Sequence, residues 1–329
     1  MHQFADRAVE TTTSTGTGAL TLSGALTGFR TLASGLIQGV FLFPATIEAI
    51  DASGNPDGDW ETSLCELTAS NTLARRFVLA SSNSGSAVNF DAGTKRVYVG
   101  PVQACMPFGL DKRRYLWWET DFVGPAGSAT IESHWVWDYA VISSGTQSKT
   151  GGTANHPGIL RTTSSTTANS GGYCLTDTTA FLIGGGEFSA HVFQVATLTN
   201  TTVRLGFLDT TTSADATDGV YIEIPATGAA VGKTASNSTR TTSGTIATLN
   251  TATWYRAVIA VNFDATNCWF GIYSESGSLL GSQTISTNIP TGAGRQCGHG
   301  FVATNSGTTA VGLTDMDYMA VGILRPMTR

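Results

Sequence analysis

The sequence predicts an all-β protein whose C-terminal part packs as two antiparallel sheets. Three observations carry that expectation. Only 13% of the 329 residues are charged, about half the usual share, while Gly, Ser and Thr are abundant. In the most legible runs the apolar residues repeat with period two. Those runs are short, and Gly, Asn, Asp and Thr turn formers separate them. An apolar content of 41% is too high for disorder, and the length favours two domains.

Glu10 to Thr13, Ala19 to Ser23, Val40 to Phe43, Ile47 to Ile50, Trp60 to Leu67, Phe77 to Ala80 and Arg96 to Val99 are the strands expected in the first hundred residues. Asp51 to Gly58 and Ser81 to Ser86 are expected turns, and Phe29 to Leu36 carries a hint of helix. Pro101 to Gly109 holds two prolines and runs into Asp111-Lys-Arg-Arg114, so the domain boundary is placed there, giving domains 1–105 and 106–329.

Two aromatic strands follow, Tyr115 to Phe122 and Ser133 to Ile142, then a polar loop from Ser143 to Thr153. Gly158 to Arg161, Gly172 to Leu175, Glu187 to Ala196, Val203 to Leu208, Val220 to Ile224, Leu279 to Ile285, Gly298 to Ala303 and Asp315 to Ile323 continue the strand rhythm. The clearest element is the hairpin Trp254 to Asn262 and Cys268 to Tyr273. Tyr255, Ala257, Ile259 and Val261 share one face of it, and Trp254, Arg256, Val258, Ala260 and Asn262 the other. In the same way Val220, Ile222 and Ile224 oppose Tyr221 and Glu223.

Charge and cysteine usage exclude some functions. A net charge of −6 gives no basic face for nucleic acid, and Lys112-Arg-Arg114 is expected to be a solvated loop. Five cysteines at wide spacings, Cys65, Cys105, Cys174, Cys268 and Cys297, suit free thiols in a reducing compartment better than a disulfide framework or a zinc site. The N-terminus lacks the pattern of a secretory signal, and no apolar run is long enough to insert in a membrane.

Several stretches invite chemistry. Val231-Gly-Lys-Thr234 suggests a phosphate loop, but Gly228 is one residue too close for that motif, and a Gly and Ala loop between strands is the expected structure. Asp315 and Asp317 share a face, the nearest approach to the paired carboxylates that glycan hydrolysis requires, but a solvated edge or turn position at the start of the last strand is the ordinary explanation. Cys297 and His299 alternate onto one face, where an imidazole could activate a thiol, or where both are simply buried. Asp209, Asp215 and Asp218 crowd one loop and are candidates to hold Ca²⁺, a polar turn being the competing explanation. Trp135, Trp137 and Tyr139 line one face of a strand and form either a stacking platform for glycan, a subunit interface or part of the sheet core. No catalytic residues are assigned.

Two resemblances add to this. DRAVETTTSTGTGALTLSGALTGFRTLASG followed by WETSLCELTASNTLARRFVLASSNSGSAVNFDAGTKRVYV resembles an N-terminal module that recurs on virion proteins of tailed bacteriophages. The series HPGILRTT, ANSGGYCL, FLIGGGEFSAHVFQV, DGVYIEI, TWYRAVIAVN, GFVATNSGTT and DMDYMAVGI resembles the concanavalin A-like jelly roll of phage tail and fibre proteins. The resemblances imply a small antiparallel β domain followed by a concanavalin A-like sandwich, in a non-enzymatic structural protein of the virion. They point first to a short tail fibre that attaches through its N-terminal domain to other virion proteins and presents the sandwich to host surface glycans. A homotrimer would multiply weak contacts by avidity. A capsid decoration or head-fibre protein, and a tail-associated glycan depolymerase, are the alternatives.

Overall fold

The computed structural model describes residues 5–39, 41–100, 115–123, 136–308 and 311–324. The chain divides into two units, Met1–Tyr115 with Leu324–Arg329, and Leu116–Ile323.

The first unit is a closed antiparallel barrel. Its strands are β1 (Val9–Thr12), β2 (Leu20–Ala25), β3 (Leu42–Ile50), β4 (Pro56–Ala69), β5 (Thr72–Ser81) and β6 (Lys95–Val99). They run in the order β1-β2-β5-β4-β3-β6, and β6 pairs back onto β1, so these strands leave no open edge. Alternate residues point inward: Leu20 and Leu22 of β2, Phe43, Ala45 and Ile47 of β3, Cys65 and Leu67 of β4, and Val97 of β6 fill the interior. The expected break between Phe43 and Ile47 does not occur. Pro44 lies one residue beyond the last pair of β3 with β6, Ala45 with Val99, so on that side its missing N–H costs no ladder bond. The hint of helix shrinks to a 3₁₀ turn at Leu32–Ser34, whose first amide donates to the buried carboxylate of Glu10 at 2.8 Å. Arg75 ties the barrel together from within. It pairs with Glu61 at 2.9 Å and donates to the carbonyls of Gly16, Gly18 and Val88, while Glu61 also accepts from Ser63 Oγ and the Val88 amide.

The second unit is a sandwich of two antiparallel sheets, each with eight strands among the described residues. One contains β7 (Tyr115–Thr120), β9 (Thr146–Gly151), β10 (Gly158–Thr163), β13 (Glu187–Thr197), β18 (Trp254–Val261), β19 (Cys268–Ser274), β20 (Leu279–Ile285) and β22 (Leu313–Leu324). Its order is β20-β19-β18-β13-β22-β10-β9, with β7 on the far half of β22. The other contains β8 (Asp138–Ile142), β11 (Gly171–Leu175), β12 (Phe181–Leu182), β14 (Thr201–Leu208), β15 (Gly219–Ile224), β16 (Ala229–Ser236), β17 (Thr239–Thr248) and β21 (Gln296–Asn305). Its order is β17-β16-β15-β14-β21-β11-β8, with β12 on β21.

The faces read from the sequence are the faces found. Tyr255, Ala257, Ile259 and Val261 of β18 and Val220, Ile222 and Ile224 of β15 meet in one core between the sheets. The connection from Asn262 to Asn267 is held by the Asn262 side chain, whose Oδ1 accepts from the amides of Thr266 and Asn267. Two expectations fail. The polar stretch after Ser143 contains β9, and the expected Gly and Ala loop around Val231-Gly-Lys-Thr234 is strand β16. In β16 a side chain at Gly232 would meet the ring of Phe270 at 2.6 Å, so the residue that looks like a loop former is there to let a phenylalanine lie against bare backbone.

Candidate functional site

β18 places Trp254 and Arg256 on the face turned away from the core, because Tyr255 and Ala257 between them fill it. On β22 the ladder with β13 slips. Phe193 pairs with Met316 and Val192 with Tyr318, leaving Asp317 as the extra residue of a bulge beside Val192. Two turns rise over this surface. The β9–β10 turn, closed by reciprocal backbone bonds between Thr153 and His156, carries His156, and the β19–β20 turn carries Glu275. Together they enclose a cleft of about 350 Å³ lined by Asn155, His156, Val192, Trp254, Arg256, Glu275 and Asp317 among others.

The imidazole of His156 is the centre of the cleft. It stacks on Trp254 with ring centroids 3.9 Å apart and planes inclined by 17°. Its Nδ1 lies 2.9 Å from Asp317 Oδ2 and, facing a carboxylate, carries the proton that bond needs. Nε2 faces Glu275 Oε1 at 3.4 Å without hydrogen-bond alignment. Burial holds the Asp317 carboxyl above its ordinary range, and the charge of Asp121 adds to this; the bond from His156 and the amide of Gly158 offset part of it. Arg256 lies over the ring of Tyr273, 4.5 Å from its centroid. Three buried polar atoms of the cleft make no hydrogen bond: His156 Nε2, Asp317 Oδ1 and Arg256 Nε. Buried polar atoms are ordinarily satisfied, so these three are free to bond water or a polar ligand that enters the cleft.

Of the residues singled out from the sequence, Asp317 lies in the cleft, and the others are placed elsewhere. Trp135 lies outside the described residues, as do Cys105 and Lys112 to Arg114. Trp137, only 6% exposed, belongs to the core, one of the three readings the sequence left open, and meets His299 edge-on. Tyr139 is half-buried against the same core. β8 pairs with β11 at the sheet's end, and Trp137, just before β8, and Tyr139 within it both pack on the core.

Asp209, Asp215 and Asp218 do share a loop, but their oxygens are already engaged. Asp209 accepts the amides of Thr217 and Asp218, both at 2.9 Å. Asp215 meets Arg204, Lys233 and Arg240 at 3.1–3.3 Å and accepts from the Tyr221 hydroxyl. Asp218 pairs with Arg295 at 3.1 Å and accepts the amide of Asn237. Burial pushes the Asp215 carboxyl up, yet Tyr221, Lys233 and Arg204 outweigh it and hold it below its ordinary value. Four cations around these oxygens, Arg204, Lys233, Arg240 and Arg295, do not fit a Ca²⁺ cage, which needs the same oxygens free.

The remaining candidates are likewise accounted for. Asp315 is held bidentately by Arg161 at 2.7 and 2.8 Å, so it and Asp317 serve different partners. Lys233 of β16 pairs with Asp215 and Glu223. Cys297 donates to the Asp218 carbonyl, and burial pushes its thiol up, away from the thiolate that reactivity requires. His299 turns to Ser189 instead, at 3.0 Å, and burial holds it well below its ordinary value. Cys65, Cys174, Cys268 and Cys297 are buried free thiols.

The cleft itself escaped the sequence. Two signals were visible: Asp317 as a candidate carboxylate, and the alternation of Trp254 with Arg256 on the polar face of an otherwise apolar strand. His156, Glu275 and Asp317 reach that face from positions far apart in the chain.

No curated protein matches the chain. Among solved structures, the protein of unknown function SO2946 from Shewanella oneidensis MR-1 is similar at 20% identity and a TM-score of 0.54, over 65% of this chain and 89% of that one. Peanut lectin with a 9mer peptide is similar at 8% identity and a TM-score of 0.44, over 63% and 97%. A beta-1,3-glucanase from Mycobacterium marinum is similar at 13% and 0.41, over 62% and 97%. These likenesses concern the fold alone, a sandwich of two antiparallel sheets. Residues 155–317, which include His156, Trp254, Arg256, Glu275 and Asp317, match the family model described as SO2946-like, C-terminal domain.

Proposed function

We propose that this protein is a non-enzymatic structural component of a bacteriophage virion, a short tail appendage that attaches by its N-terminal barrel and binds host surface glycans with its sandwich. The observation that carries the binding role is the outer-face cleft with its unsatisfied donors and acceptors beside Trp254. The virion placement draws on the resemblance of the first hundred residues to a phage attachment module, and a homotrimer would convert weak sugar contacts into firm adhesion.

Binding without hydrolysis follows from the carboxylates. Asp317 and Glu275 are the two in the cleft, and the His156 ring stands between them, bonded to one and facing the other. A glycosidic bond would have to occupy that same space to be reached by both. Glu223, Asp315 and Glu187 are tied to Arg204 and Lys233, to Arg161, and to the amides of Gly184 and Gly185.

Purified full-length protein mixed with host capsule or lipopolysaccharide tests this. Retention on the polysaccharide with no release of reducing ends is expected. Release of reducing ends overturns the non-enzymatic role, and absence of retention overturns the glycan role. Antibody labelling of particles is expected at the tail; labelling spread over the shell lattice would assign the protein to the capsid.

A further inference from the structure

We infer that the cleft selects a neutral, hydroxyl-rich sugar residue, and that it reads adjacent hydroxyl groups through Asp317, His156, Glu275 and Arg256. This rests on the glycan-binding role proposed above and gives it a site and a ligand class.

The unsatisfied atoms are of both kinds. Asp317 Oδ1 can only accept while ionised, and His156 Nε2 accepts in the neutral ring protonated on Nδ1 and donates in the charged ring. Glu275, on the exposed turn, adds further acceptor oxygens, 51% of its side chain being open to solvent. Arg256 Nε is a donor that makes no hydrogen bond, and its guanidinium lies over the Tyr273 ring. A hydroxyl group both donates and accepts, so a sugar diol can give its protons to the acceptors while one of its oxygens takes the Arg256 proton.

Charged sugars fit less well. A uronic acid carboxylate satisfies Arg256 but meets the charges of Asp317 and Glu275 and leaves their lone pairs unfilled. A protonated amino sugar satisfies the carboxylates but lies beside the Arg256 guanidinium. Both errors cost a charge repulsion and an unpartnered buried atom, the strongest basis for rejection a small site has. Val192 and Trp254 supply apolar surface for the C–H face of a pyranose ring. The volume, about 350 Å³, suits one or two sugar residues rather than a long chain.

The test uses the full-length protein and three probes followed by ligand-observed NMR: the methyl glycosides of neutral hexoses, of glucuronic acid and of glucosamine. At least one neutral glycoside is expected to bind and to be displaced by host polysaccharide. Asp317→Asn is expected to weaken it by about 10- to 100-fold, the loss of a charged hydrogen bond. Glu275→Gln, on an exposed turn where folding is not at stake, is expected to weaken it by a few-fold, about 3 to 10. Preferred binding of the glucuronide or the glucosaminide overturns the ligand class. Polysaccharide binding that survives both substitutions unchanged overturns the site and leaves the glycan role standing. A protein that retains no polysaccharide removes both.

Discussion

Acidification should unfold the sandwich through two histidines buried in its core. His191 and His299 are fully buried, 5.1 Å apart, one on each sheet. His191 Nε2 donates to the Gly300 carbonyl at 3.0 Å, and its Nδ1 faces the Ser189 hydroxyl, which in turn bonds His299 Nε2. Only neutral rings suit this chain. Burial lowers His191 from 6.5 to about 3, and burial together with the charge of His191 lowers His299 well below 6.5. Below pH 6.5 the unfolded chain therefore takes up protons that the folded one refuses, so stability is complete above that pH and is lost as pH falls toward 3. The shift of His191 alone amounts to about 5 kcal/mol at full extent, at about 1.4 kcal/mol per pH unit. Urea unfolding followed by tryptophan fluorescence between pH 7 and 4 reads the slope directly, and six of the seven tryptophans fall in the second unit. His191→Gln, whose side-chain amide can place a donor where Nε2 met the Gly300 carbonyl, should remove about 1 kcal/mol per pH unit from it. An unchanged slope in that variant would refute the assignment.

Other expectations follow from the packing. Arg75→Met leaves the buried Glu61 carboxylate without its cation and three carbonyls without a donor, a loss of about 3–5 kcal/mol. Amide hydrogen exchange should then speed up by at least about 100-fold in the barrel strands, with the sandwich unchanged as internal control. Gly300 has φ of 151°, and a Cβ there would lie 1.9 Å from the Cys174 carbonyl, so Gly300→Ala should cost about 3 kcal/mol or more in chemical denaturation. Millimolar Ca²⁺ or a chelator should move the thermal midpoint by less than about 1 °C, because Arg and Lys already hold Asp215 and Asp218.

Alternation made much of the fold legible, and the strands it revealed are those where apolar and polar residues contrast sharply. Tyr255 to Val261 announce both the strand and its buried face. β16 and β17 do not, because Ala, Gly, Thr and Ser dominate them. Their inward positions are small, as at Ala230, Gly232 and Thr234, since Phe270 of the facing sheet fills the space. Trp137 and the aspartate loop show the complementary limit. A sequence reveals that aromatic rings share a face or that carboxylates share a loop, but not whether the face turns inward or which cations arrive from β14, β16 and β17. The cleft lay beyond reach for the same reason: a bulge at Asp317 and two turns bring its parts together, and none of these leaves a periodic trace.

Ligand is expected to contact the outer face at Trp254 and to leave the aromatic core at Trp137 untouched. Tryptophan side-chain N–H resonances of labelled full-length protein, titrated with a neutral methyl hexoside, test it most directly. The account predicts a saturable shift of the Trp254 signal, abolished in Asp317→Asn, with the Trp137 signal fixed. A titration that moves Trp137 while Trp254 stays still would contradict it.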